Sequence, residues 1–341
     1  MISDHYFTTS LGNIVLGDSL EILRACVADD SVDLIVTSPP YALVRKKEYG
    51  GADASEYLEW FRPFAIEFHR VLRDTGSLVI NIGGAWNKGF PTRSLVHLKL
   101  PVMLVEEHRF HLCQEIFWYN PARIPGPAEW VCIRRNRLKD SVEMVWWLGK
   151  TPWPRSSNRR LSIPYSASMQ ALIKEGNKAQ SRPSGHLVTT KISRDNGSAI
   201  CPNLLAIANT ESGSSYLRRC RSKGIKAHPA RFPAALPEAF IRMLTDPGDL
   251  VIDPFAGSCT TGKVCEDLGR RWICCEREEE YLRGAIERFS GNQDAGSREN
   301  PTKYELSHPG VLWSQMVDAP LSPDGGRYFR RDNARSQRTS I

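Results

Sequence analysis

Thr37-Ser38-Pro39-Pro40-Tyr41 puts a hydroxyl, two residues without amide protons and a phenol ring into five consecutive positions. It follows the apolar run Val32-Asp33-Leu34-Ile35-Val36, so it falls at the carboxyl end of a strand. In open α/β sheets that is where ligands and chemistry gather. Two prolines fix φ and remove two donors, leaving stiff backbone with free carbonyls. Ser38 can donate or accept a hydrogen bond, and Tyr41 offers a flat face. Such a turn suits a flat heterocycle that carries an amino group. The same residues also make an ordinary strand-ending turn with a serine cap.

A second constellation lies near the other end. Leu250-Val251-Ile252 reads as a buried strand, and Asp253-Pro254-Phe255-Ala256-Gly257-Ser258-Cys259-Thr260-Thr261-Gly262 leaves its carboxyl end. A helix to about residue 268 and the strand Arg271-Trp272-Ile273-Cys274-Cys275 follow, and Glu276 closes the unit 23 positions after Asp253. A βαβ unit of this kind binds the nucleoside part of a cofactor, with the acid on the ribose hydroxyls. The turn lacks the Gly-x-Gly-x-x-Gly that lets a pyrophosphate approach a helix N-terminus. A phosphate-free nucleoside such as S-adenosyl-L-methionine therefore fits better. Asp18, just past the strand Ile14-Val15-Leu16, either accepts from a ligand or caps the helix after it. Trp118 and Tyr119 end another strand, placed either to stack on a base or to pack beneath a loop.

The elements that must position these residues are legible from periodicity. Tyr57, Trp60, Phe61, Phe64, Ala65, Phe68, Val71 and Leu72 recur at helical steps, with Pro63 as a misfit that can kink the helix. Strands are expected over 77–82, 113–121 and 141–148, and helices over 95–110, 237–245 and 278–289. Gly83-Gly84 permits close backbone approach at a strand end.

Charge is unevenly spread. The whole chain of 341 residues carries +7, whereas 123–226 holds nineteen basic residues against six acidic ones. From about 150 to 225 the chain is rich in Ser, Pro, Gly and Asn. It reads as a loop-rich insertion that forms a nucleic-acid surface or a solvated loop. No apolar run reaches transmembrane length, and the first residues lack an export signal. Nine scattered cysteines without a Cys-x-x-Cys pair argue against zinc or a disulfide framework and for reduced thiols in the cytoplasm.

The two signatures, with His228-Pro229-Ala230-Arg231-Phe232-Pro233 between them, resemble the circularly permuted, β-class amino-methyltransferases of bacterial restriction–modification systems. The likeness covers roughly residues 11–290. Stretches at 45–50, 145–147, 182–186 and 226–233 are similar to cytosine-N4 members of that class, which implies DNA as substrate and the palindrome CAGCTG as a candidate site. The resemblance implies a Rossmann-like α/β fold with helices on both faces of its sheet. It assigns 1–122 to a catalytic half, 123–226 to target recognition apart from the core strand 141–148, 227–290 to a cofactor half and 291–341 to a polar tail. Val311-Leu312-Trp313 would pin part of that tail to the body.

Residue by residue, the resemblance makes Ser38, Pro39, Pro40 and Tyr41 catalytic. It places Asp253, Phe255, Gly257 and Thr260 on the methionine side of the cofactor, Glu276 on the ribose and Asp18 at the adenine edge. Arg134, Arg135, Arg137, Arg182, Lys191 and Arg194 become candidate DNA contacts, and Trp118 a stacking partner. Cys259 stands where many relatives have glycine, and its β-carbon is expected to narrow the cofactor loop. Double-stranded DNA is the implied partner, with a restriction endonuclease paired in function, no metal, and a monomeric or weakly dimeric state. Adenine-N6 methylation and DNA binding without catalysis are the competing readings.

Overall fold

The computed structural model describes residues 5–41, 56–176, 180–181, 187–188, 190–210 and 214–290. Arg182, the 45–50 and 182–186 stretches and the tail with Val311-Leu312-Trp313 lie outside the described residues.

Nine strands form one sheet. They are β1 (Phe7–Thr8), β2 (Gly12–Leu16), β3 (Val32–Thr37), β4 (Leu72–Ile82), β5 (His111–Tyr119), β6 (Val142–Gly149), β7 (Leu204–Ala206), β8 (Leu250–Asp253) and β9 (Arg271–Glu276). The spatial order is β1-β2-β9-β8-β3-β4-β6-β5-β7. Pairing is parallel from β2 to β4 and between β5 and β7. β6 runs antiparallel to both its neighbours, and β1 to β2. Strands β8 and β3 are direct neighbours, with Val251 opposite Leu34 and Ile252 opposite Ile35. That adjacency brings loops more than 200 positions apart to one edge. β3 is buried at all six positions, as expected of a strand with helices on both sheet faces.

Helices α1 (Ser19–Cys26), α2 (Tyr57–Val71) and α3 (Val96–Glu106) pack in sequence, α1 on α2 and α2 on α3. The aromatic stripe of α2 is its buried face: Tyr57, Phe61, Phe64, Ala65, Phe68 and Val71 join Ile35, Leu78, Ile80 and Trp146 in one core. Burying four aromatic rings contributes on the order of 2 kcal/mol each. α3 stops sooner than its periodicity suggests, because Arg109 adopts φ +62° and turns the chain into β5. The opposite face carries α6 (Ala235–Leu244) and α7 (Thr260–Asp267), whose apolar residues meet Leu34, Val36, Val79 and Val251. The last helix, α8 (Glu279–Ile286), is shorter than expected; a turn carries Phe289 beyond it to stack on Trp272 at 5.3 Å.

The basic middle segment is less separate than its composition suggests. It contains α4 (Ala167–Glu175), capped by Ser166, and α5 (Ser215–Ser222), which packs against α8. Its three-residue strand β7 is the sheet edge beside β5. Leu204-Leu205-Ala206 is too short for a two-residue alternation to show, so only the tertiary pairing reveals it as core.

Candidate active site

At the carboxyl edge of the parallel strands lies a cavity of about 1100 Å³. Ser38 to Tyr41 line it from β3, Pro254 to Ser258 and Thr260 from β8, Glu276 from β9 and Asp18 from β2. Most of the sequence-predicted site residues thus converge, and the exceptions are informative.

The β8 loop is shaped from behind. Asp253 is 1% exposed and does not line the cavity. Its carboxylate accepts from Thr37 Oγ1 at 2.6 Å, Thr261 Oγ1 at 2.7 Å and the Phe255 amide at 3.1 Å. Burial lifts its carboxyl from 3.8 to about 6, against the pull of those hydrogen bonds. Asp253, expected from the sequence on the methionine side of the cofactor, here sits behind the cavity wall, where its carboxylate ties the end of β3 to the start of α7. Glu276 does face the cavity. One of its oxygens accepts from the Gly257 amide at 2.9 Å, the other from the amides of Arg277 and Glu278, each at 2.9 Å. Burial raises its carboxyl, and the three amides work against that rise. A carboxylate offers about four acceptor positions, so capacity for a ligand hydroxyl remains. Gly17 donates to the Glu276 carbonyl at 3.0 Å, which seats Asp18 beside it. Asp18 also caps α1, accepting from the Leu20 amide at 2.8 Å, so the capping role read from the sequence coexists with a place on the cavity wall.

Gly257 has φ +52°, and a β-carbon there would lie 3.1 Å from the His228 ring, so only glycine fits between histidine and cavity. Cys259 likewise has a positive φ of 55°, unusual for a residue with a side chain. Its thiol is fully buried, close to Gly262, and absent from the cavity lining. The side chain expected to narrow the loop turns into the core rather than into the cavity.

The β3 turn is held by side chains. Tyr41 Oη donates to Glu143 Oε2 at 2.8 Å and lies 3.2 Å from Asn81 Oδ1. Ser38 Oγ is 3.4 Å from Tyr41 Oη and 3.5 Å from Asn81 Oδ1. Glu143 also pairs with Arg123. Burial first, and the Glu143 carboxylate next, push the Tyr41 phenol well above its ordinary range, so its proton stays on. Gly83 admits the ring: a β-carbon there would sit 2.7 Å from Tyr41 Cε2.

Trp118 is a second exception. It borders the cavity but is only 4% exposed, and its indole N–H donates to the Ile207 carbonyl at 2.9 Å. Packed between β5 and the chain after β7, the ring is almost wholly covered in this structure, the packing alternative of the two that the sequence offered. Lys191 and Arg194 are a third: they lie on a turn against α4, away from the cavity lining. Arg134 and Arg135 are exposed, with Arg134 over Trp130, which borders the cavity. Arg137 and Arg93 stack at 4.2 and 5.5 Å on Trp86, which lines the cavity together with Arg93.

Sequence reasoning passed over Asn81, Glu143 and Arg123. The signal for the first two was a polar residue inside an apolar strand, which costs free energy unless it is hydrogen-bonded. Trp60 and Phe64 were read only as core, yet they border the cavity, their rings 5.8 and 5.0 Å from Phe255.

A nucleoside-shaped loop and a Ser-Pro-Pro-Tyr turn facing each other at the edge of a mostly parallel sheet define a methyltransferase site. The chain belongs to the DNA methylase family, whose model matches residues 32–287. It is 47% identical to the type II methyltransferase M.PvuII of Proteus hauseri over 289 residues, 84% of this chain and 86% of that one. M.BglII of Bacillus subtilis is 26% identical over 287 residues, 83% of this chain and 70% of that one. The structure of the PvuII DNA methyltransferase, described as cytosine-N4-specific, aligns with a TM-score of 0.69 at 42% identity, covering 85% of this chain and 90% of that one. The fold is also that of TTHA0409 from Thermus thermophilus in its complex with S-adenosyl-L-methionine, at TM-score 0.51 and 22% identity over 81% of this chain and 93% of that one.

Proposed function

We infer that the protein is a site-specific DNA methyltransferase that modifies the exocyclic N4 of a cytosine turned out of the duplex. The observation that carries this reading is the meeting of the Ser38 turn and the β8 loop over one cavity. The 47% identity to M.PvuII supports cytosine and a type II restriction–modification role, with CAGCTG as the candidate site and a paired endonuclease working on the same sequence. Action on one strand at a time is compatible with a monomer in the cytoplasm, and the basic segment 123–226 supplies target recognition.

The residues present fit S-adenosyl-L-methionine. Glu276 keeps acceptor capacity for ribose hydroxyls, Asp18 stands beside it for the adenine edge, and Phe255 with Trp60 and Phe64 makes an apolar wall. Gly257 leaves room along the loop toward Thr260. When bound, the cofactor supplies an electrophilic methyl group on a sulfonium. The chain's own work is to make the amine reactive. Cytosine N4 is a poor nucleophile because its lone pair is delocalised into the ring. Ser38 Oγ and the Pro39 carbonyl accept its two N–H bonds and favour a tetrahedral nitrogen with a localised pair. Tyr41 stacks on the extruded base. Transfer is then driven mainly by positioning.

Digesting methylated DNA to nucleosides and identifying the product by mass spectrometry tests this. N4-methylcytosine is the expected product; N6-methyladenine alone would overturn the assignment.

A further inference from the structure

Glu143 belongs to no motif, yet it is the one carboxylate joined to the Ser-Pro-Pro-Tyr turn among the described residues. It reaches there because β6 runs opposite to its neighbours. The second residue of an antiparallel strand lands at the rim where the parallel strands end, with Glu143 opposite Trp118 and Met144 opposite Ile82. The residue is 9% exposed. Oε2 accepts from Tyr41 Oη at 2.8 Å and lies 3.5 Å from Asn81 Nδ2, while Oε1 accepts from Arg123. The desolvation penalty of a buried carboxylate is offset only where it is paired and hydrogen-bonded. Here every partner but Arg123 belongs to the catalytic turn or to the asparagine that touches it.

We propose that Glu143 is the terminal proton acceptor of the methyl transfer, reached from the target amine through the hydroxyls of Ser38 and Tyr41. This rests on the methyltransferase reading above. As the N4–methyl bond forms and the methyl–sulfur bond breaks, N4 holds two hydrogens and a positive charge. One proton must leave, and a nitrogen whose lone pair has been withdrawn from the ring is strongly acidic. N4–H gives its proton to Ser38 Oγ, Ser38 gives its own to Tyr41 Oη, and Tyr41 gives its own to Glu143 Oε2. Both hydroxyls end neutral, the amine ends neutral, and the carboxylate ends as the acid. The donor's positive charge and the carboxylate's negative charge cancel. The 3.4 Å and 2.8 Å separations lie in the order this transfer needs. A phenol that keeps its proton is the right middle member, since it donates to Glu143 while accepting from Ser38. Asn81 cannot take a proton; its Oδ1 lies within reach of both hydroxyls and fixes their direction. Arg123, with Asp140 and Arg93 behind it, supplies the charge that keeps the carboxylate in place before transfer. Glu143 is thus a positioning residue acting through Tyr41, not a group that touches the base.

Single-turnover methylation of a duplex oligonucleotide by the full chain, measured across pH, tests it. Glu143→Gln keeps size and hydrogen-bond acceptance but cannot hold the proton. Its rate is expected to fall about 10²–10³-fold, while KM for DNA and the cofactor Kd stay within about threefold, and the acid limb of the wild-type profile disappears. Glu143→Asp, which keeps an ionisable group, restores that limb at an intermediate rate. Tyr41→Phe interrupts the same path, so Tyr41→Phe with Glu143→Gln is no slower than the slower single variant. The proposal is overturned if Glu143→Gln transfers within about threefold of wild type, or if Gln and Asp variants are equally slow with the wild-type pH shape. A wild-type protein that forms no N4-methylcytosine would instead overturn the function itself.

Discussion

The loop after β8 is held by backbone amides and a buried carboxylate, whereas the turn after β3 is held by a chain of side-chain hydroxyls, an amide and an acid. On the β8 side, Glu276 accepts three amide hydrogens and Asp253 accepts from two threonines and an amide. Those contacts run from 2.6 to 3.1 Å, two of them fully buried and most of the rest partly so, and they shape the loop without a ligand. On the β3 side, the contacts run from 2.8 to 3.5 Å between groups that can each change partner. A donor that looks the same at every turnover suits the first construction. An amine that must arrive, give up a proton and leave suits the second. The two ends are tied by Thr37 Oγ1 donating to Asp253 at 2.6 Å, which registers one loop against the other.

Breaking the β3 side should be the larger insult to rate. Ser38→Ala removes the hydroxyl proposed to orient the amine; kcat is expected to fall about 10²–10³-fold, the usual cost of one preorganised hydrogen-bonding group. Quenched-flow methylation assays read this directly. On the β8 side, Glu276→Ala removes a charged acceptor, and the cofactor Kd should rise about 10–100-fold, from ~1.5–3 kcal/mol of charge-assisted hydrogen bonding.

Asp253 offers a test through pH. Its carboxyl titrates near 6 in the fold and near 3.8 as an ordinary side chain, so the folded protein binds the proton more tightly than the unfolded chain does. Its contribution to stability is full below 3.8, falls as pH rises to about 6, and is flat above. Denaturant unfolding of Asp253→Asn, compared with wild type across that window, should lack this falling component. A wild-type difference that instead rises with pH would mean that the hydrogen bonds outweigh burial.

The smallest effect is expected at Cys259. Cys259→Gly relieves a positive φ worth about 1–2 kcal/mol but empties a buried thiol site, so stability should move by no more than about 1 kcal/mol. The cofactor Kd should stay within about twofold, since the thiol faces the core. A tenfold gain in affinity would show that the side chain does obstruct the loop.

How much of this was legible in the sequence follows the same division. The β8 side reads well because its features are local: a strand, a small-residue turn, a helix, a strand and an acid in 27 consecutive residues. Even there, the sequence does not tell which acid lines the cavity; Asp253 and Glu276 differ by burial, a tertiary property. The β3 side reads only in part. Ser38 to Tyr41 stand out by composition, but Asn81 and Glu143 reach them through strand order and through the reversed direction of β6. A sequence shows that 141–148 is a strand, not which way it runs. The packing of Trp118 is illegible for a related reason, since its indole bonds to the chain after β7, 89 positions away.

The division of labour itself is tested most directly by calorimetry of S-adenosyl-L-methionine binding to Ser38→Ala and Glu276→Ala. The expected result is a Ser38→Ala protein that binds the cofactor within about threefold of wild type while transferring methyl groups at least about a hundredfold more slowly, and a Glu276→Ala protein that loses affinity first. A Ser38→Ala protein that no longer binds the cofactor, or a Glu276→Ala protein that binds it as wild type does, would contradict the assignment of donor and amine to the two strand ends.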